Sequence, residues 1–224
     1  VMLKSETAAA IRRWVANGGT LISEGCPAYW GDGAHVGVVQ PNLGLDEVFG
    51  AVESYVEFTP DLLDDLTLTV RGEPVWGGVY LQCYEPTTGR AVGWYEDGRV
   101  AAVEHAYGAG KTLLVGTMAG YGYGNHACDA CDGFFSMLLA FAGRQQAVAR
   151  SDRRIRARLH TGEGGSYLWV ANHTRMDIPV EVTLADQYRC SHTRTLRGAD
   201  AEVSGDGISL IAPARDVAVL ELIT

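Results

Sequence analysis

The stretch Gly98–Gly124, GRVAAVEHAYGAGKTLLVGTMAGYGYG, most limits what this chain can become. Two runs rich in Val, Ala and Leu, Arg99–Tyr107 and Lys111–Thr117, flank Gly108-Ala109-Gly110. Glycine reaches positive φ without a steric penalty, and tight hairpin turns need that freedom, so the segment predicts two antiparallel strands. Tyr121-Gly122-Tyr123-Gly124 after them reads as a loop. The pattern before the hairpin mixes a helix with strands, and the pattern well after it is all β. The hairpin therefore closes one domain and leads to the next.

In chain order, Ser5 and Thr7 are N-cap candidates for a helix whose apolar face carries Ala8, Ile11, Trp14 and Val15. Asn17-Gly18-Gly19 suits a left-handed C-cap. Thr20–Ser23 follows as a short strand, so this region reads as the helix and second strand of a β-α-β unit that the chain enters partway. Gly25–Gly37 is a loop past the carboxyl end of that strand, where ligands bind in parallel sheets. Leu43–Phe49 predicts a helical turn or two capped by Asn42, and Ala51–Phe58 alternates as a strand. Leu66–Arg71, Val75–Tyr84 and Arg90–Tyr95 continue as antiparallel strands up to the Asp97-Gly98 turn. Phe134, Met137, Leu138 and Phe141 mark an amphipathic helix over Asp129–Ala142 that stops at Gly143.

After Arg144 the texture changes. Ile155–Thr161, Ser166–Asn172, Ile178–Leu184, Ser191–Leu196, Gly207–Ile211 and Val217–Ile223 read as short strands parted by turn residues, the pattern of a small β-sandwich. The two domains predicted are residues 1–146 and 147–224.

Composition removes several classes of function. A formal charge of −9 and a pI near 5.1 argue against nucleic acid as a partner. The basic run Arg150–Arg158 has the spacing of a strand with a solvated face. No apolar run reaches the roughly 18 residues a membrane helix requires. Five cysteines, an odd number, do not suit a secreted disulfide framework, and with no signal peptide at VMLKSET the expected location is cytoplasmic, with reduced thiols.

Four phrases in order, IRRWVANGGTLISEG, LDEVFGAVESYVEF, VEHAYGAGKTLLVGT and YLWVANHT, resemble bacterial β-galactosidases of glycoside hydrolase family 42 from about Lys4 to Thr224. The likeness is to the part that follows the catalytic barrel. It implies an α/β domain, an incomplete flavodoxin-like or amidotransferase-like sheet with an antiparallel extension, followed by a small all-β sandwich. It also implies a homo-oligomer, a trimer, in which this part holds protomers together and walls the neighbouring active site. The family's two catalytic glutamates lie on the barrel, so none of Glu24, Glu47, Glu53, Glu57, Glu96 and Glu104 inherits their roles. No cofactor is implied, and carbohydrate is the ligand class.

The rival is an amidotransferase-like hydrolase with Cys26 as nucleophile, since in true amidotransferases a cysteine sits on a sharp turn after a strand. Against it, Pro27 removes the amide just after the thiol, and Glu104 and His105 are adjacent, so strand alternation points them apart. His126, Cys128 and Cys131 are the densest set of metal-ligand types, with Cys128 and Cys131 sharing a helical face. A structural zinc normally takes four ligands, and no second Cys-x-x-Cys pair is present. Capping aspartates and core thiols are the alternative there. Tyr29, Trp30, Trp76, Tyr80 and Trp94, with Tyr121 and Tyr123, suit a sugar-binding module, a protein interface, or packing on their own sheet. Gly108-Ala109-Gly110-Lys111-Thr112 continues into a strand, so it is no phosphate loop. Asn172-His173-Thr174 is a glycosylation sequon in form and reads as a strand end and turn.

Overall fold

The computed structural model describes residues 2–59, 66–126 and 131–224, apart from the side chains of Asn125 and His126. The chain divides into two compact units, Val1–Ala142 and Gly143–Thr224.

The first unit contains α1 (Ser5–Ala16), β1 (Thr20–Ser23), α2 (Leu45–Phe49), β2 (Ala51–Phe58), β3 (Leu66–Val70), β4 (Glu73–Gly77), β5 (Tyr80–Pro86), β6 (Arg90–Tyr95), β7 (Val100–Tyr107), β8 (Gly110–Val115), α3 (Ala119–His126) and α4 (Asp132–Phe141). Six strands form one sheet in the order β1-β8-β7-β6-β3-β4, and β2 pairs with β5 in a separate ribbon. The β1–β8 pair is parallel; the other pairings described in this unit are antiparallel. The sheet is thus less parallel than a β-α-β reading of residues 5–25 suggests. The antiparallel extension makes up most of it.

The predicted hairpin forms, and its strands β7 and β8 lie inside the six-stranded sheet. Tyr107 pairs with Gly110 across a two-residue turn, with Gly108 at φ 60°. The turn docks on the end of α1: the Ala109 amide donates to Ala16 O at 2.9 Å and the Lys111 amide to Gly19 O at 3.1 Å. A Cβ on Gly110 would lie 2.0 Å from Val15 O, so the approach needs glycine. Strand alternation sends Leu113 and Val115 into one core with Phe134, Leu138 and Phe141 of α4. Leu114, between them, enters the opposite core with Val15 of α1 and Val48 and Phe49 of α2. Leu113 and Leu114 are fully buried, each contributing about 1.5–3 kcal/mol. Helices cover both faces of the strand pair, the layering expected of an α/β core.

Local details depart from the sequence reading in four places. Lys4, not Ser5 or Thr7, is the N-cap of α1; Ser5 instead donates its amide and hydroxyl to the Asp32 carboxylate, which caps the helix from outside. Gly44, not Asn42, precedes α2, although Asn42 Oδ1 accepts the Leu43 amide at 2.7 Å. Val75–Tyr84 is two strands rather than one, because Val79 at φ 72° turns the chain out of the main sheet and into the ribbon. Tyr121–Gly124 lies in helix α3, not in a loop. Glycine is a poor helix former, but here it permits close contact: a Cβ on Gly122 would sit 2.2 Å from Trp76 O of β4. At the other end of α3, the Glu24 carboxylate accepts the Gly120 amide at 3.2 Å, where a negative charge complements the helix dipole.

The second unit contains β9 (Val148–Arg150), β10 (Ile155–Gly162), β11 (Gly165–Asn172), β12 (Ile178–Leu184), β13 (His192–Arg197), β14 (Ala201–Ser204), β15 (Gly207–Ala212) and β16 (Asp216–Ile223). They form two four-stranded sheets, β10-β11-β16-β13 and β14-β15-β12-β9, around one core of Ile155, Leu168, Val170, Val182, Ile208 and Leu220 among others. The six strands read from sequence are all present. β9 and β14 are additions, too short to carry a periodic signal. Arg156 and Arg158 of the basic run alternate with buried Ile155 and Ala157, so this run is a strand with a solvated face. No helix among the described residues is long and apolar enough to cross a membrane.

Candidate functional site

The loop after β1 and the ribbon meet in a buried polar knot, the most chemically distinctive place in the first unit. Its organiser is Gln82, near the middle of β5 and only 1% exposed. The Gln82 side-chain oxygen accepts the Cys26 backbone amide at 2.8 Å and the Tyr84 hydroxyl at 2.6 Å. Its amide nitrogen donates to the Glu53 carboxylate on β2. The Gln82 main chain is engaged as well: its N–H donates to Gly116 O at 2.8 Å and its carbonyl accepts the Tyr95 hydroxyl at 3.2 Å. One residue therefore ties the β1 loop, the ribbon and the end of β8 together. A buried amide left without partners costs about 1–3 kcal/mol, so this completeness is what makes the position tolerable.

Cys26 lies on a tight turn, at φ 55°, two residues after Glu24. That is the strained placement expected of a nucleophile after a strand. Its electrostatics run the other way. Burial, with the Glu53 charge second, pushes the thiol up to about 11 from 9.0. Reactive thiols need the opposite shift, produced by cationic neighbours. Glu53 is itself raised by burial, with the Gln82 hydrogen bond acting against the shift. Tyr84 is driven well above its ordinary value by complete burial. Burial thus keeps the Cys26 thiol and the Tyr84 hydroxyl protonated, the state of a structural junction. His105, weighed as an activator, has its Nδ1 3.0 Å from Val48 O, while Glu104 holds Arg71 and Arg90.

Of the metal candidates, Cys131 is a buried thiol at the N-cap of α4. Cys128 and the side chain of His126 lie outside the described residues. Among the described residues no group of three His, Cys, Asp or Glu side chains converges. Cys83 and Cys190 are buried thiols, each raised chiefly by burial.

The aromatic candidates separate. Tyr29 meets Trp30 edge-on at 5.2 Å, and Tyr80 lies against Phe58 at 4.5 Å. Tyr123 of α3 packs edge-on to Phe135 at 4.9 Å, inside its own unit. Trp30 and Trp94 stay exposed. Trp30 bridges Met2 on one side and Val36 on the other, and Val36, Val38 and Val39 are exposed with it. This apolar edge of the Gly25–Gly37 loop region was not singled out in sequence; the signal available was the run VGVV at Val36–Val39 inside an otherwise turn-like stretch.

In the second unit Asn172 is 1% exposed, and its amide is fully used. Nδ2 donates to Met176 O at 2.8 Å and Ala212 O at 2.9 Å, and Oδ1 accepts the Thr174 amide and hydroxyl. The sequon-like triplet is a strand end and its turn.

No protein-family model matches the chain, and no curated protein is similar to it in sequence. Solved structures are. The fold, from helix α1 through the terminal sandwich, is that of a segment of β-galactosidases, including members of glycoside hydrolase family 42. The β-galactosidase from Bacillus circulans sp. alkalophilus superposes with a TM-score of 0.75 at 19% identity, over 99% of this chain and 31% of that one. Gan42B, a family 42 β-galactosidase, gives 0.73 at 17% identity over 100% and 31%. The enzyme from the haloarchaeon Halorubrum lacusprofundi gives 0.66 at 21% over 98% and 30%. The chain spans under a third of the length of these structures.

Proposed function

We propose that this chain is the oligomerisation and scaffold portion of a β-galactosidase-like glycoside hydrolase, with the hydrolytic carboxylates outside it. The observation that carries the reading is coverage: nearly the whole chain superposes on several β-galactosidases, and it covers only about 30% of each. In this reading the first unit is the amidotransferase-like trimerisation domain, and the second is the small C-terminal β domain. The exposed apolar edge of Trp30, Val36, Val38 and Val39 supports it, because such patches mark interfaces. It becomes the contact between protomers, and the trimer places each copy beside a neighbour's sugar-binding cleft.

The Cys26 hydrolase is the weaker reading, since the thiol is held protonated and Pro27 leaves no amide after it. The two are separated by measuring the mass of the chain in solution and its activity on nitrophenyl galactoside and on glutamine. Self-association without hydrolysis of either supports the scaffold. A monomer, or turnover by this chain alone, overturns it.

A further inference from the structure

A second feature of the first unit is independent of that reading. Where β3, β6, β7 and β8 approach the end of α4, a groove of about 570 Å³ is lined by Arg71, Arg90, Lys111, Glu104, Met137 and Phe141. It gathers three cations around one carboxylate, in a protein whose formal charge is −9. Glu104 is spent on both guanidinium groups, taking Arg71 on one oxygen and Arg90 on the other. Each guanidinium carries five N–H donors, so most of their capacity remains. Lys111 has no carboxylate partner among the described residues; its ammonium sits 4.8 Å from the centre of the Phe141 ring. The Arg71 guanidinium lies over the same ring at 5.7 Å. Phe141 thus carries two cations, and the groove beside it joins an apolar wall to an excess of positive charge.

We propose that this groove is a binding site for a small organic anion, an oxyanion head attached to a flat apolar body. The head meets Lys111 and the outer N–H groups of Arg71 and Arg90; forked guanidinium donors match the planar oxygens of a carboxylate or a phosphate. The body lies along Met137 and Phe141. Glu104 sets the two arginines in place and offsets the mutual repulsion that would otherwise drive the cations apart.

Calorimetric titration of the whole chain tests this with phenyl phosphate and benzoate, whose heads distinguish phosphate from carboxylate, and with phenol as the neutral body. The expected result is saturable binding of at least one anion, none of phenol under the same conditions, and weakening by about tenfold in Lys111→Gln and in Arg90→Gln. Arg90 is mostly exposed, so its variant keeps the test readable if Lys111→Gln fails to fold. The proposal is overturned if neither anion binds up to about 10 mM. It is overturned equally if phenol binds as well as the anions, or if both folded variants bind like the parent chain.

Discussion

The side-chain oxygen of Gln82 accepts the backbone amide of Cys26 at 2.8 Å, across 56 residues of sequence. With Tyr84 and Glu53 on the same carboxamide, this contact fixes the β1 loop against the ribbon. Replacing Gln82 with Leu keeps the volume and removes every side-chain partner, leaving a buried amide, a buried hydroxyl and a half-buried carboxyl unmatched. The expected loss is about 2–4 kcal/mol, read from the midpoint of urea unfolding. A change under about 0.5 kcal/mol would mean that the knot is not a structural junction.

The Cys26 thiol supplies a pH test. Its folded value is raised from 9.0 to about 11, so the folded state holds this proton more tightly than the unfolded chain does. Its contribution is whole below pH 9 and is lost as pH rises through about 11, amounting to no more than about 3 kcal/mol. Stability of the parent chain should fall between these limits, and Cys26→Ala should show a shallower fall. Tyr84 is raised too and leaves a residual slope in both. Equal slopes would contradict the assignment. At neutral pH, alkylation of Cys26 in the folded chain should be slower than that of a small model thiol.

Two glycines of α3 separate close packing from helix propensity. Gly122→Ala places a methyl 2.2 Å from Trp76 O, which forces α3 off β4 and should cost about 1–3 kcal/mol or more. Gly124→Ala meets nothing within 4 Å and should stabilise by about 0.5–1 kcal/mol. Thermal unfolding of the two variants should shift in opposite directions. Shifts of the same sign would mean that the approach of α3 to Trp76 does not limit this position.

This pair also shows where the sequence was legible. The β7–β8 hairpin could be read because alternating apolar residues and Gly108 signal it locally, and the second unit could be read because turn residues punctuate its strands. Helix α3 could not, since its stability comes from Gly122 lying against β4 and from Glu24 at its first turn, contacts distant in sequence. The break inside Val75–Tyr84 rests on a single residue, Val79, of a type that seldom adopts positive φ. At the candidate site Cys26 was visible as a cysteine after a strand. Gln82, which decides its environment, carries no signal, because a lone glutamine in a strand has no spacing to report.

In the second unit, Asn172→Ala removes four hydrogen bonds at a buried turn. It should destabilise by about 2–4 kcal/mol, and Asn172→Asp should destabilise as well, since it sets a buried carboxylate against the Met176 and Ala212 carbonyls that the amide now serves. Equal stability of all three chains, measured by thermal unfolding, would remove Asn172 from its structural role.

The exposed edge is tested by Val38→Asp. Val38 is fully exposed, so the substitution should leave the fold and its unfolding temperature unchanged when the chain is dilute. Buried between protomers, the new carboxylate should lower the association constant by at least about tenfold. An unchanged association constant would assign the interface to another face.

The mass of the chain in solution decides between a scaffold and a monomer. Sedimentation equilibrium of the purified 24.1 kDa polypeptide should give a species near three times that mass at micromolar concentration, about 72 kDa, dissociating on dilution. A mass of 24.1 kDa at every concentration would contradict the scaffold reading.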